Sequence, residues 1–194
     1  MLSLRERIDL LEEHLLADPP RISMTSDLPF AVLRYDPDEE WVLRKQLHLL
    51  MKRLENAGKK TVRISVAELM WQSIEESEGV EPLFELERDR GFLMAQEQVA
   101  NYLTDEDWRP LTDLLSERLQ ECDPEETIAF LWRAAALAPA AYHLSALLEQ
   151  MKGKTKVPTV LCYPGTWTDS LNFMGLKDRA APLGSYRVKI YGRD

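Results

Sequence analysis

The chain has 194 residues, of which 45% are hydrophobic and 29% are charged. This composition is that of an ordinary globular protein, and it excludes disordered, collagen-like and fibrous repeat classes. The formal net charge of −9 opposes dense contact with a phosphate backbone. Two cysteines are too few for a disulfide framework or a four-cysteine zinc site. We therefore expect one domain over residues 1–194, kept in a reducing compartment.

The sequence also indicates where the protein works. Charged residues interrupt the first 13 positions, so no secretory signal is expected. The least charged stretch, residues 134–148, contains Pro139 and is shorter than the roughly 20 residues that span a bilayer. We expect a cytoplasmic protein without a membrane segment.

The first predicted elements are a helix, a strand and a second helix. Residues 1–20 form an amphipathic helix that ends at Pro19 and Pro20. Residues 29–35 are an apolar run typical of a buried strand, followed by Asp36 as the N-cap of a long helix. Gly58 is placed as a left-handed C-cap at the end of that helix. The leucines of the two predicted helices recur at helical spacing.

A second strand and a helical region follow. Residues 61–64 are predicted as a strand, and Ser65 with Glu68 has the spacing of a capping box that opens a helix. Residues 80–121 are predicted as a helical insertion, with a break at Gly91 and restarts near Thr104 and Pro110.

The last third of the chain repeats the alternation of strands and helices. Residues 127–132 and 158–163 are predicted strands, joined by one alanine-rich helix that runs through Met151. Residues 186–191 are predicted as a fifth strand at the sheet edge. The expected fold is therefore a three-layer α/β domain, with a mostly parallel sheet of four or five strands and helices on both faces.

Known catalytic and cofactor motifs are missing from the sequence. The Gly153-Lys154-Thr155 triplet resembles the end of a Walker phosphate-binding loop, but Leu148 occupies the position of that motif's first glycine. The Gly-x-Gly turn of a dinucleotide-binding site is also absent from the sequence. The three histidines lack metal-ligand spacing, and no Gly-x-Ser-x-Gly elbow occurs. We predict no catalytic residue, no metal and no cofactor.

Residues that follow the predicted strands are the candidates for a ligand or partner site, because the carboxyl ends of parallel strands meet at one edge. Asp36 is either an N-cap or a site carboxylate, and Arg133 is either a rim charge or an anion ligand. Residues 163–169 are either a structural turn or a binding loop that offers aromatic area. The candidates in this segment are Tyr163, Gly165, Thr166 and Trp167.

One basic cluster surrounds the end of the second helix and the second strand. Its charges either offset the helix dipole or form a weak nucleic-acid patch. The members are Lys52, Arg53, Lys59, Lys60 and Arg63.

Three segments in order, residues 32–37, 83–88 and 157–166, resemble the BrxB family of the bacteriophage exclusion (BREX) defence systems. The later segments 171–173 and 185–187 fit the same pattern, so the resemblance covers about residues 28–194. It implies a small cytoplasmic component of a multiprotein complex with the phosphatase-superfamily protein PglZ, a methyltransferase and an ATPase. It implies no known catalytic residues.

Two functions are consistent with these observations. The first is a non-catalytic adaptor of the defence complex, a possible homo-oligomer that contacts nucleic acid weakly or through the complex. The loop after the fourth strand is its expected anchor, and the helices of residues 80–121 are the next surface to consider. The alternative is a nucleotide-binding module or enzyme with an unrecognised site at the carboxyl ends of the strands.

Overall fold

A mixed sheet lies at the centre of the computed structural model, which describes residues 2–22, 28–138, 143–167, 171–175 and 188–192. Within these residues five parallel strands are ordered β2-β3-β4-β1-β6, and the short β5 pairs antiparallel with β4. This is the mostly parallel sheet predicted from the sequence. The strands are β1 (Phe30–Tyr35), β2 (Lys60–Ser65), β3 (Thr127–Trp132), β4 (Thr159–Trp167), β5 (Leu171–Phe173) and β6 (Lys189–Tyr191).

Helices cover both faces of the sheet, which confirms the predicted three-layer α/β fold. The described helices are α1 (Leu4–Leu15), α2 (Glu40–Asn56), α3 (Val66–Ser77), α4 (Glu81–Arg90), α5 (Phe92–Thr104), α6 (Leu111–Gln120) and α7 (Leu144–Gln150). Short 3₁₀ helices span Pro37–Glu39 and Ala134–Leu137.

The alternation of side chains along each strand builds two cores. Leu33 and Phe130 face one side and pack with α1 and α2, whereas Val32 and Leu131 face the other and pack with α3, α6 and α7. The β1-to-β2 crossover runs in one direction along the sheet, and the β2-to-β3 and β3-to-β4 crossovers run in the other. Because crossovers between parallel strands are right-handed as a rule, the two directions are expected to place their helices on opposite faces, in agreement with the two cores.

Several predicted helix signals are confirmed. The Asp36 carboxylate accepts from the N–H of Asp38 at 3.1 Å, which caps the 3₁₀ helix that leads into α2. Gly58, with φ of +88°, follows the end of α2 as predicted. The Ser65 hydroxyl accepts from the N–H of Glu68 at 3.3 Å.

The helical region divides differently from the prediction at two places. Gly91 separates α4 from α5 and Pro110 precedes α6, both as predicted, but Thr104 ends α5 instead of starting a helix. The single alanine-rich helix is also wrong, because Ala134–Leu137 is a 3₁₀ helix and Ala138 is extended (φ −73°, ψ 147°). Ala138 precedes Pro139, and the proline ring disfavours helical backbone at the position before it. Residues 139–142 lie outside the described part of the chain.

The largest correction concerns the end of β4. A loop was predicted after residue 163, but β4 continues to Trp167, and Gly165 pairs with Phe173 of β5. A Cβ at Gly165 would lie 2.4 Å from the carbonyl oxygen of Asn172, so glycine permits the two strands to approach. Residues 163–167 are thus one side of an antiparallel pair, and the rest of the predicted loop, residues 168–169, is not described.

The predicted edge strand is confirmed as β6, which pairs in parallel with β1 at the end of the sheet. The earlier part of that prediction, residues 186–187, falls outside the described residues. No helix in the described part of the chain is long and apolar enough to span a bilayer.

Candidate functional site

Two of the predicted site residues follow strands at the carboxyl edge of the sheet. Asp36, after β1, is engaged as a cap by the adjacent backbone. Arg133, after β3, has left-handed backbone (φ 58°, ψ 31°), which residues other than glycine seldom adopt. Among the described residues no ion pair joins Asp36 to Arg133. The two candidates therefore lie at the same edge without direct pairing, and their role in binding stays a prediction.

Arg133 instead belongs to a cluster of cations around one indole. The guanidinium carbons of Arg44, Arg63 and Arg133 lie 5.3, 5.2 and 5.9 Å from the ring centroid of Trp132. The Arg44 guanidinium is also 4.6 Å from the ring of Trp41, which is 76% exposed. These distances are those of cation–π contacts. We call these five residues the Trp132 cluster.

Acidic neighbours offset part of the positive charge of the Trp132 cluster. Glu40 pairs with Arg44 at 2.7 Å, and Glu68 lies 3.5 Å from Arg133. The Glu40 carboxylate also accepts from the buried Tyr35 hydroxyl. Burial, and then this hydrogen bond, raise the pKa of Tyr35. Of the three arginines in the cluster, Arg63 is the one that forms no ion pair with an acidic side chain in the described structure.

The structure separates the predicted basic cluster. Arg63 contacts Trp132, whereas the other four cations are tied to acidic side chains or to a backbone carbonyl. The five residues do not form one open basic patch, and nucleic-acid binding by them stays a prediction. The contacts are Lys52 with Glu55 at 2.9 Å, Arg53 with Glu12 at 2.7 Å, Lys60 with Glu126 at 2.6 Å, and the Lys59 ammonium donating to the Glu125 carbonyl at 3.2 Å.

The aromatic residues at the end of β4 are less available than predicted. Tyr163 is 3% exposed and meets Phe173 edge to face, with ring centroids 5.7 Å apart. Trp167 and Thr166 are half-buried, and Trp167 packs against the larger core. Tyr163 is consequently a core residue, because β5 covers the outer half of β4.

Sequence reasoning missed a buried arginine at the same edge. Arg34 in β1 is 4% exposed, and its guanidinium donates to the carbonyls of Gly192 at 2.9 Å and Gly165 at 3.3 Å. The equally buried Arg7 donates to the carbonyl of Arg34 at 2.8 Å. These bonds join the carboxyl ends of β1, β4 and β6. An alternating strand pattern did not reveal them, since Arg34 lies in an otherwise apolar run.

A different surface, formed by α3, α4 and α5, exposes large apolar side chains. Phe84 is 59% exposed, Phe92 56%, Leu93 68% and Trp71 53%. Trp71, Phe84 and Phe92 line a groove with a volume of about 240 Å³, which we call the α4–α5 groove, whereas Leu93 is exposed outside this lining. Contiguous exposed apolar area on a folded protein marks an interaction surface. The lining is completed by Met70, Ile74, Val80, Leu83, Glu87, Ala95, Gln96, Val99, Ala136 and Ala138.

A small separate core holds the floor of the α4–α5 groove. Leu83 packs with Ile74 and Tyr102, and the Tyr102 ring meets Trp108 edge to face with centroids 5.1 Å apart. The Tyr102 hydroxyl donates to Glu78, and burial raises its pKa to about 12. The groove is therefore lined by elements that tertiary contacts fix in place.

The described residues offer little that resembles catalytic chemistry. Burial raises the pKa of Cys162 to about 12, which keeps its thiol protonated at neutral pH. In the described part of the chain, no three His, Cys, Asp or Glu side chains are grouped to hold a metal ion.

Comparison with known proteins identifies one family. The family model described as BREX protein BrxB matches residues 62–189, about two thirds of the chain. No curated protein and no solved structure matches. The matched region contains α3, α4 and α5, and therefore the α4–α5 groove, together with three of the five members of the Trp132 cluster.

Proposed function

The chain belongs to the BrxB family and is a component of a BREX anti-phage defence system, and from this premise we propose that it is a non-catalytic adaptor. It works in the cytoplasm by binding other proteins of the system. Its expected partner is the phosphatase-superfamily protein PglZ, because the family resemblance implies a complex that contains it.

The observation that carries this proposal is the α4–α5 groove. Phe84 and Phe92, which line it, are more than half exposed although they are as apolar as the residues of the core. Burying apolar surface contributes roughly 25 cal/mol per Å², so a partner that covers these side chains gains binding free energy. A few large side chains at the centre of an interface supply most of the affinity of a typical complex.

A co-purification experiment tests the proposal. The tagged chain is expressed with the other proteins of its own BREX system and compared with the double variant Phe84→Ser, Phe92→Ser. The matched control is Val42→Ser, Leu49→Ser, which removes exposed apolar side chains from α2 on the opposite face of the sheet. We expect the groove variant to keep its melting temperature and lose the partner, while the control retains it. Equal recovery of the partner by both variants would contradict the proposal that the α4–α5 groove binds it.

A second candidate function is supported by the Trp132 cluster. Three guanidinium groups around one indole, at the carboxyl edge of a parallel sheet, offer positive charge suited to an anionic ligand such as a nucleotide. The adaptor proposal expects millimolar ATP with magnesium to leave the melting temperature unchanged. A stabilisation that disappears in Arg63→Ala, Arg133→Ala would favour the nucleotide-binding function instead.

A further inference from the structure

Negative charge is concentrated on the helices that form the α4–α5 groove. Residues 66–104 contain nine acidic and two basic residues, so they hold −7 of the chain's net charge of −9. All nine acidic side chains are exposed. They are Glu68, Glu75, Glu76, Glu78, Glu81, Glu85, Glu87, Asp89 and Glu97.

Most of these carboxylates are not neutralised by the protein. Glu76 pairs with Arg109 at 2.7 Å, and Glu68 approaches Arg133 at 3.5 Å. The others make no ion pair in the described part of the chain, and this includes Glu85 and the groove residue Glu87. A cluster of like charge of this kind produces a field that attracts a cationic partner and repels an anionic one.

The groove also contains a buried hydrogen-bond acceptor that lacks a partner. The side-chain oxygen of Gln96, in the lining, is buried and has no hydrogen-bond partner among the described residues. Buried acceptors in folded proteins are nearly always satisfied. Lysine and arginine side chains have donors and no acceptors, so they match both this oxygen and the surrounding carboxylates.

We infer that the α4–α5 groove binds a basic amphipathic helix of a partner protein. The apolar face of that helix inserts side chains at positions i, i+3 or i+4, and i+7 among Trp71, Phe84 and Phe92. Its lysines and arginines lie along the acidic side chains of α3 and α4. The inference rests on the proposed function, since it specifies the chemistry of the segment by which a BREX protein is held.

Charge also argues against other occupants. Outside residues 66–104 the chain has 22 basic and 24 acidic residues, so a second copy has no positive surplus to offer. Two grooves placed face to face would bring together two regions that each have a net charge of −7, and these would repel each other. Nucleic acids and anionic lipid surfaces carry the same sign as the groove and are repelled by it.

Peptide binding tests the inference directly. The probe is a fluorescein-labelled helical peptide of 18 residues with leucines on one face and lysines on the other, titrated into the purified full chain. Two matched peptides replace every lysine with glutamate, or scramble the leucine positions. We expect saturable binding of the first peptide, about tenfold weaker for the scrambled peptide and weaker still for the glutamate peptide.

Charge reversal identifies the surface that binds. Glu85→Lys, Glu87→Lys changes the lining residue Glu87 together with Glu85, an exposed carboxylate of the same helix, and Glu121→Lys, Glu125→Lys makes the same change in net charge outside the groove lining. We expect the first variant to weaken peptide binding by about tenfold at 50 mM salt and to reduce its salt dependence, and the second to change it less than twofold. Equal effects of the two variants, or equal binding of the three peptides, would overturn the inference.

The same variants separate this inference from the proposed function. If a BREX protein co-purifies with the chain and its recovery does not change in Glu85→Lys, Glu87→Lys, the adaptor proposal is supported. The inference that the groove binds a basic helix is then wrong. If no BREX protein co-purifies but the cationic peptide binds in the groove, the adaptor proposal fails and the recognition chemistry remains. Self-association that is lost in Phe84→Ser, Phe92→Ser would assign the groove to a second copy and overturn the inference.

Discussion

The sheet and the α4–α5 region use the same residue types for opposite purposes. Phe130 and Leu131 in β3 are fully buried between two layers of helices, whereas Phe84 and Leu93 on α4 and α5 are 59% and 68% exposed. The strand residues stabilise the fold, and the helix residues contribute little to it because they lie at its outer surface. Apolar character alone therefore does not distinguish a core position from a binding position in this chain. The two kinds of position differ in how many layers of the fold cover the residue.

The largest expected effect is on the buried side of the comparison. Phe130→Ala removes a fully buried ring between β3 and α2 and should lower the free energy of unfolding by about 3–5 kcal/mol, because it leaves a cavity that the core fills only in part. Urea denaturation measures the change. A loss below about 1 kcal/mol would show that the sheet core is not packed as described.

Replacing an exposed phenylalanine of the α4–α5 groove with alanine should affect binding and not stability. Phe84→Ala should change the free energy of unfolding by no more than about 0.5 kcal/mol, as is usual for a surface position. Its partner binding should nevertheless fall. If Phe84→Ala destabilises the protein as much as Phe130→Ala does, the groove is part of the structural core and the contrast between the two regions disappears.

A smaller effect is expected at the junction of β4 and β5. Gly165→Ala places a methyl group 2.4 Å from the Asn172 carbonyl oxygen and 2.7 Å from the Tyr163 ring. Accommodating this overlap should cost about 1–3 kcal/mol of stability, and hydrogen exchange should increase at residues 163–167. An unchanged exchange rate there would mean that the second half of β4 is not paired as described.

The pH dependence of stability concerns the other core, where α1 meets the edge strand. His14 lies 2.8 Å from the Tyr191 hydroxyl and 3.0 Å from the Lys189 ammonium. Burial, and then the charge of Lys189, lower the pKa of His14, and Arg21 acts in the same direction while Glu13 opposes it. His14 is therefore harder to protonate in the folded protein than in the unfolded chain.

The sign of the effect follows from this difference in proton binding. Below about pH 6.5 the unfolded chain binds more protons, so stability is greatest above that pH and decreases as the pH falls. Thermal denaturation between pH 8 and 5.5 should show the decrease, and His14→Gln should reduce it. His48→Gln, at an exposed position of α2, is the control. A steeper loss in His14→Gln than in the wild type would contradict the account.

The sequence predicted the elements whose signals are local. The apolar runs of β1 and β3 and the break at Gly91 lie in contiguous residues and were recognised without tertiary information. The extension of β4 was missed because it depends on pairing with β5, and nothing within residues 163–167 specifies that partner. Strand register likewise brings Arg63 to Trp132.

The candidate sites were harder to predict than the fold. The exposure of the α4–α5 face depends on which sides of these helices other elements cover, and a helical apolar pattern is the same in either case. The concentration of negative charge in residues 66–104 was visible in the sequence. It acquires a meaning only when the same helices are seen to form an apolar groove.

Hydrogen exchange of the chain, alone and in complex with the co-purified BREX protein, tests the central claim most directly. The account predicts that binding slows exchange in α4 and α5, residues 81–104, and leaves the exposed side of α2 and the Trp132 cluster unchanged. Protection at the carboxyl ends of β2 and β3, with none in α4 or α5, would contradict it and would place the partner at the Trp132 cluster.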